Sequence, residues 1–228
     1  MSDHQHEHQH EHRPDDQDGP APHTREFWDA RYGGSDRVWS GNPNRRLVEQ
    51  VADLEPGRAV DVGCGEGADA VWLAGRGWVT TGLDVSAVAL ERTAAHAAEA
   101  GLEVATALYD AQDAEALPGG PYDLVASHFL HLPLELRRLA YRHMAAAVAP
   151  GGRLLIVGHH PADHESGARR PHGPGLMFSA DDVLGLLGEV EGFDTWTVEV
   201  AEEPQRVQET PEGPLPVTDT VVRVRRPF

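Results

Sequence analysis

The stretch AVDVGCGEGADAVWLA, Ala59 to Ala74, decides the fold. A short apolar run ends in Asp61, and glycines then come at every second position, Gly63, Gly65 and Gly67. A helical pattern follows at once. A buried strand, a glycine turn and a helix open a βαβ unit, and glycines let a ligand lie against the backbone. The question is which ligand.

Working outward, apolar runs and amphipathic runs alternate. The strands read as RAVDV, WVTTGLDV, EVATALY, YDLVASHF and GRLLIVGHH, with helices over Gly67–Ala74, Ser86–Ala100 and Leu134–Val148. That alternation predicts a doubly wound, mostly parallel α/β sheet with right-handed crossovers. Before it, TREFWDARYG reads as a helix capped by Thr24, and Asn44 caps NRRLVEQVADL. After it, Ser179 caps SADDVLGLLGEV. FDTWTVEVAEE and PVTDTVVRVRRPF then read as two strands, joined by a Pro/Gly/Glu-rich loop, that form an antiparallel hairpin at the sheet edge. One domain over residues 23–228 is expected.

Residues 1–22 are polar without hydrophobic periodicity, which predicts a disordered tail. Its histidines, His4, His6, His8, His10 and His12, alternate. In an extended chain they share a face and can bind a transition metal; the plainer reading is a solvated tail.

The composition narrows the function. The chain has 228 residues and a net charge of −18, from 37 acids against 19 bases. This argues against nucleic acid or an anionic membrane as partner, although Arg169–Arg170 and Arg223–Arg226 leave room for local basic patches. Every base is arginine, so Walker-type phosphate loops and Schiff-base lysines are excluded. The single cysteine, Cys64, forms no intrachain disulfide. No apolar run approaches about 18 residues, and no apolar signal region opens the chain. A soluble cytoplasmic protein is the expectation.

Gly63-Cys64-Gly65-Glu66-Gly67-Ala68 formally fits the dinucleotide pattern G-x-G-x-x-G/A. Against a nicotinamide ligand stand Asp61 just before the first glycine, Gly67 at the helix start, and the lack of a separate substrate region. The stretch VDVGCGEGADAVWLAGRGWVTTGLDVS instead resembles motif I and the following acidic strand end of class I S-adenosylmethionine-dependent methyltransferases. YDLV, VAPGGRLLIVG and the terminal antiparallel pair extend the resemblance from about Phe27 to the C-terminus. FWDARYG and VWSGNPN resemble a small-molecule subgroup, of the tellurite-resistance and thiopurine type.

The resemblance implies methyl transfer from S-adenosylmethionine to a small molecule, a thiol or metalloid among the candidates. It implies cofactor contacts from Asp61, Gly63, Cys64, Gly65, Gly67, Asp84, Val85, Ala111, Ser127 and Trp39. Asp61 would face the cofactor's ammonium and Asp84 its ribose hydroxyls. The adenine contact falls to Asp110 or Asp113, with Asp110 nearer the strand end. Cys64 reads as a packing residue of the loop. A sulfonium is already an activated donor, so alignment and exclusion of water are the main requirements. Where the acceptor must lose a proton, His128 and His131 in SHFLHLP are the candidate bases; otherwise they are packing residues. Trp28, Tyr32 and Trp39 either close over the cofactor or staple the N-terminal helix. His159, His160, His164 and His172 lie in a loop that can cover the substrate, where no spacing demands a metal. The competing readings are a non-catalytic cofactor- or metal-binding protein and a nicotinamide-dependent oxidoreductase.

Overall fold

The computed structural model describes residues 24–35, 37–113, 115–164, 166, 168, 175–211 and 213–228. The tail with its five histidines, Arg169–Arg170 and His172 lie outside the described residues.

Five parallel strands form the body of the sheet: β1 (Arg58–Val62), β2 (Val79–Asp84), β3 (Ala105–Leu108), β4 (Tyr122–His128) and β5 (Val148–His159). The helices are α1 (Arg25–Gly33), α2 (Arg45–Val51), α3 (Ala68–Gly75), α4 (Ala87–Glu99), α5 (Leu134–Ala147) and α6 (Ala180–Leu187). Three strands follow α6: β6 (Thr197–Glu202), β7 (Gln205–Thr210) and β8 (Gly213–Arg225). The order across the sheet is β3-β2-β1-β4-β5-β8-β6, with β7 paired to β8. This is the doubly wound α/β fold that the sequence predicts.

Both faces of the sheet are apolar because helices cover both. Val60, Val62, Val125, Leu154 and Ile156 pack with Tyr141, Met144, Leu186 and Leu187 of α5 and α6. The alternate residues Ala59, Leu124, Ala126, Leu155 and Val157 pack with Leu47, Val51 and Leu73 of α2 and α3. The period of two along each strand thus separates two cores. Side-chain caps start four helices. Thr24, Asn44, Ser86 and Ser179 accept from Phe27, Arg46, Ala89 and Asp182 N–H groups, the last in a capping box.

One region departs from the sequence reading. The Pro/Gly/Glu-rich segment between the last two predicted strands is not a loop. Gln205–Thr210 forms β7 and pairs with the first half of β8, from Thr218 back to Gly213. The second half of β8 inserts antiparallel between β5 and β6. Pairing of His159 with Asp219 ends the β5–β8 ladder, so the β7–β8 hairpin runs past the carboxyl end of β5. The alternation in QRVQET was outweighed by its flanking Pro, Gly and Glu.

Candidate functional site

The carboxyl ends of the parallel strands border a cavity of about 930 Å³, where open α/β sheets bind ligands. Its floor is the turn after β1. Gly63, Gly65 and Gly67 all have positive φ, at +79°, +54° and +82°. The Gly63 and Cys64 N–H groups donate to the Leu83 carbonyl at 2.8 and 2.9 Å, binding the loop to β2. A Cβ on Gly65 would come within 3.0 Å of the Tyr32 hydroxyl and 3.3 Å of Trp39 Nε1. A side chain there would fill the space between loop and N-terminal segment.

Asp84 ends β2 and is almost buried. One oxygen accepts the Gly65 N–H at 2.8 Å and the other the Ser86 N–H at 2.9 Å. Burial raises its pKa despite these bonds and that of the Val85 N–H, and Asp29 adds to the rise. Each oxygen keeps a further lone pair for a ligand hydroxyl.

The N-terminal segment closes one side. Trp28 stacks on Tyr32 with ring centroids 5.8 Å apart, and Trp39 donates to the Tyr32 hydroxyl at 3.0 Å. All three line the cavity. Glu66, inside the glycine loop, anchors them. Its carboxylate accepts the Val38 N–H at 3.1 Å, the Trp39 N–H at 2.9 Å and Arg92 Nη1 at 2.6 Å. Burial opposes its charge, but these donors prevail and lower its pKa. The lid is therefore built onto the same loop that floors the site.

On the far side, His128 ends β4. Its Nδ1 lies 2.8 Å from Asp69 Oδ2 and 3.8 Å from Asp61 Oδ1. Asp69, on α3, also accepts the Asn44 N–H at 2.5 Å. Burial pushes the Asp61 carboxyl up to about 7, Asp69 adds to the rise, and His128 opposes it. Burial would lower the His128 pKa, but Asp69 and Asp61 outweigh it and raise it. Asp61, Asp69 and His128 offer three ligand atoms within 4.8 Å of one another. The close His128–Asp69 contact is an ion pair when the imidazole is protonated, and Nε2 of His128 is buried without a hydrogen-bond partner. Among the described residues, His159, His160 and His164 join no comparable group.

Beyond β4, Phe129 has φ +55°, a backbone region that a bulky side chain rarely enters. Its N–H donates to Val157 O at 2.8 Å. Its ring centroid lies 4.3 Å from that of His159, which stacks on His131 at 4.9 Å. His131 Nε2 accepts the His159 N–H at 3.2 Å, so that nitrogen is unprotonated.

Of the residues nominated by sequence, Trp39, Gly63, Cys64, Gly65, Asp84, Val85, Asp110, Ala111, His128 and His131 line the cavity. Asp61, Gly67, Asp113 and Ser127 do not. Asp61 lies behind His128 and Asp69. Gly67 is the left-handed residue before α3. Ser127 donates to Val62 O at 3.0 Å within the sheet. Sequence reasoning missed Glu66, Asp69, Phe129, Arg206 and Gln208. Glu66 and Asp69 stood inside the motif as unremarked acids, and Arg206 and Gln208 lay in the misread loop.

A methyltransferase-domain family matches residues 59–152. The chain is 32% identical over 127 residues to 2-heptyl-1-hydroxyquinolin-4(1H)-one methyltransferase of Mycobacteroides abscessus, covering 52% of this chain and 54% of that protein. It is 39% identical over 120 residues to nocamycin O-methyltransferase of Saccharothrix syringae, covering 50% and 42%. The chain thus spans about half the length of the curated relatives it matches. A solved structure described as "Conversion of a Disulfide Bond into a Thioacetal Group during Echinomycin Biosynthesis" superposes with a TM-score of 0.71. It shares 28% identity and covers 89% of this chain and 91% of that one.

Proposed function

We propose that the chain is a class I S-adenosylmethionine-dependent methyltransferase and that it methylates a small molecule at the end of the cavity beyond β4. The observation behind this reading is Asp84. Its two oxygens face the glycine loop and the start of α4 while the residue lines the cavity. That suits a ribose diol, and the cation beside the glycine loop, Arg92, is already paired with Glu66. The space kept open by Gly65 beneath Tyr32 and Trp39 suits the aminoacyl part of the same ligand.

Bound S-adenosylmethionine supplies an activated methyl group. The chain's own residues bind, align and dehydrate. Asp84 takes the ribose, and Asp110, two residues past β3, takes the adenine side in preference to Asp113, which is off the cavity. Trp28, Tyr32 and Trp39 cover the site and offer aromatic faces to a cation. Asp61 acts from behind, through Asp69 and His128, on the charge of the cavity wall.

His128 and His131 are the proposed catalytic pair, and both act by positioning where the acceptor reaches the site already ionised. Nδ1 of His128 faces Asp69, and Nε2 of His131 already accepts a backbone N–H. Methyl transfer then rests on alignment. The relatives named above include one O-methyltransferase and one that acts on a hydroxyquinolone. That supports an oxygen acceptor ahead of a thiol or metalloid. Transfer of labelled methyl from S-adenosylmethionine to a panel of phenols, N-hydroxy heterocycles and thiols tests this. Turnover with oxygen acceptors is expected. No transfer to any member, in a protein that binds S-adenosylhomocysteine, would overturn the catalytic reading.

A further inference from the structure

Charge is divided along the cavity. The carboxylates on its wall are Glu66, Asp69, Asp84, Glu99 and Asp110. By strand order they sit towards β3, β2 and β1, where a cationic cofactor belongs. Asp69 is taken by His128 and Glu66 by Arg92. Beyond β4 the wall includes Phe129, Leu130, His131, Leu132, His159, Arg206 and Gln208. Among the described residues, no carboxylate lines that end.

Arg206 is the cation there. It lies on β7, opposite Val217, in the hairpin that overhangs the end of β5. Its Nε donates to both oxygens of buried Asp219, at 3.1 and 3.0 Å. Asp219 Oδ2 also accepts Arg46 Nε at 3.0 Å. This fixes the Arg206 guanidinium through one of its five N–H donors, its two terminal nitrogens carry the other four, and the residue lines the cavity. A guanidinium held in this way is preorganised to grip an oxyanion through two parallel hydrogen bonds. Phe129 and His159, whose ring centroids are 4.3 Å apart, line the same cavity as an aromatic wall that suits a flat ring.

We infer that the acceptor is a planar aromatic compound with an anionic oxygen group, held by the terminal nitrogens of Arg206 with its ring against Phe129 and His159. This deepens the methyltransferase reading and rests on it. Arg206 is a specificity-determining residue, and the β7–β8 hairpin is the element that brings it to the site.

The test is calorimetric titration of the full chain, saturated with S-adenosylhomocysteine, with 2-naphthoate and with its neutral isostere 2-naphthamide. The acid is expected to bind about tenfold or more tightly than the amide, the range of losing charge-assisted hydrogen bonds. Arg206→Met should abolish that preference and Arg206→Lys should keep part of it. Asp219 retains Arg46 in both variants, and unchanged melting temperatures would show that the fold survives. If Arg206→Met alone unfolds, the Lys variant and the acid-to-amide ratio of the native chain decide. Equal affinity for acid and amide, binding of neither, or an undiminished preference in Arg206→Met would overturn the inference. Failure of S-adenosylhomocysteine itself to bind would instead overturn the methyltransferase reading.

Discussion

Asp84→Asn separates binding from folding. In the free protein each Asp84 oxygen accepts one backbone N–H, from Gly65 and from Ser86. Asparagine has one acceptor oxygen, so its NH₂ group must face one of these donors. An unsatisfied buried N–H costs about 1–3 kcal/mol. The opposing effect comes from burial, which raises the Asp84 pKa and so disfavours the ionised carboxylate in the fold; the neutral amide removes that burden. The net loss of stability is therefore expected to stay below about 2 kcal/mol, or less than about 8 °C in melting temperature for a chain of this size. Cofactor affinity should suffer more. Two ribose hydroxyls would lose a charged acceptor, a loss of about 1.5–3 kcal/mol, which is about 10–150-fold in Kd. Calorimetry with S-adenosylhomocysteine and a thermal melt of the ligand-free variant measure the two quantities. An affinity within about threefold of the native chain would refute the assignment of Asp84 to the ligand.

Gly67→Ala should destabilise the fold by about 2–5 kcal/mol, combining left-handed strain with overpacking, because the new Cβ would lie 2.6 Å from Thr93 Cγ2; a urea midpoint near the native value would contradict this. Asp61 titrates at about 7 in the fold against 3.8 when free. The folded state thus holds an extra proton between those values, and this group's contribution to stability is full below the lower one and lost as pH rises through the higher. Denaturant midpoints from pH 5 to 8 should accordingly fall more steeply in the native chain than in Asp61→Asn. His128→Ala and His131→Ala should both bind S-adenosylhomocysteine near-normally, with at least one losing more than about tenfold in turnover; normal turnover in both would leave them as packing residues. Removing residues 1–22, which have no apolar periodicity, should leave melting temperature and methyl transfer intact, and a loss of several degrees would show that the tail contributes to the domain.

The central fold was legible because its signals are local. Strands buried on both faces read as apolar runs, and the turn after β1 announces itself by glycines that must take positive φ. Thr24, Asn44 and Ser179 marked helix starts by capping chemistry alone. The β7–β8 hairpin was not legible, because Gly213, Pro214 and Pro216 are turn residues by type and only their pairing with Thr210, Glu209 and Val207 of β7 makes them strand. The same limit applies to the site. Asp84 could be nominated from the end of its strand. Asp61 also lies near a strand end, but Asp69 and His128 stand between it and the cavity, and it is off the wall. Partnerships such as Glu66 with Arg92, or Arg206 with Asp219, join residues 26 and 13 positions apart, and no periodicity encodes them.

The most direct test of the central claim is titration of the purified full chain with S-adenosylhomocysteine and, separately, with NADH. The account predicts saturable one-to-one binding of S-adenosylhomocysteine, weakened in Asp84→Asn, and no heat from NADH. Binding of NADH with no response to S-adenosylhomocysteine would contradict it.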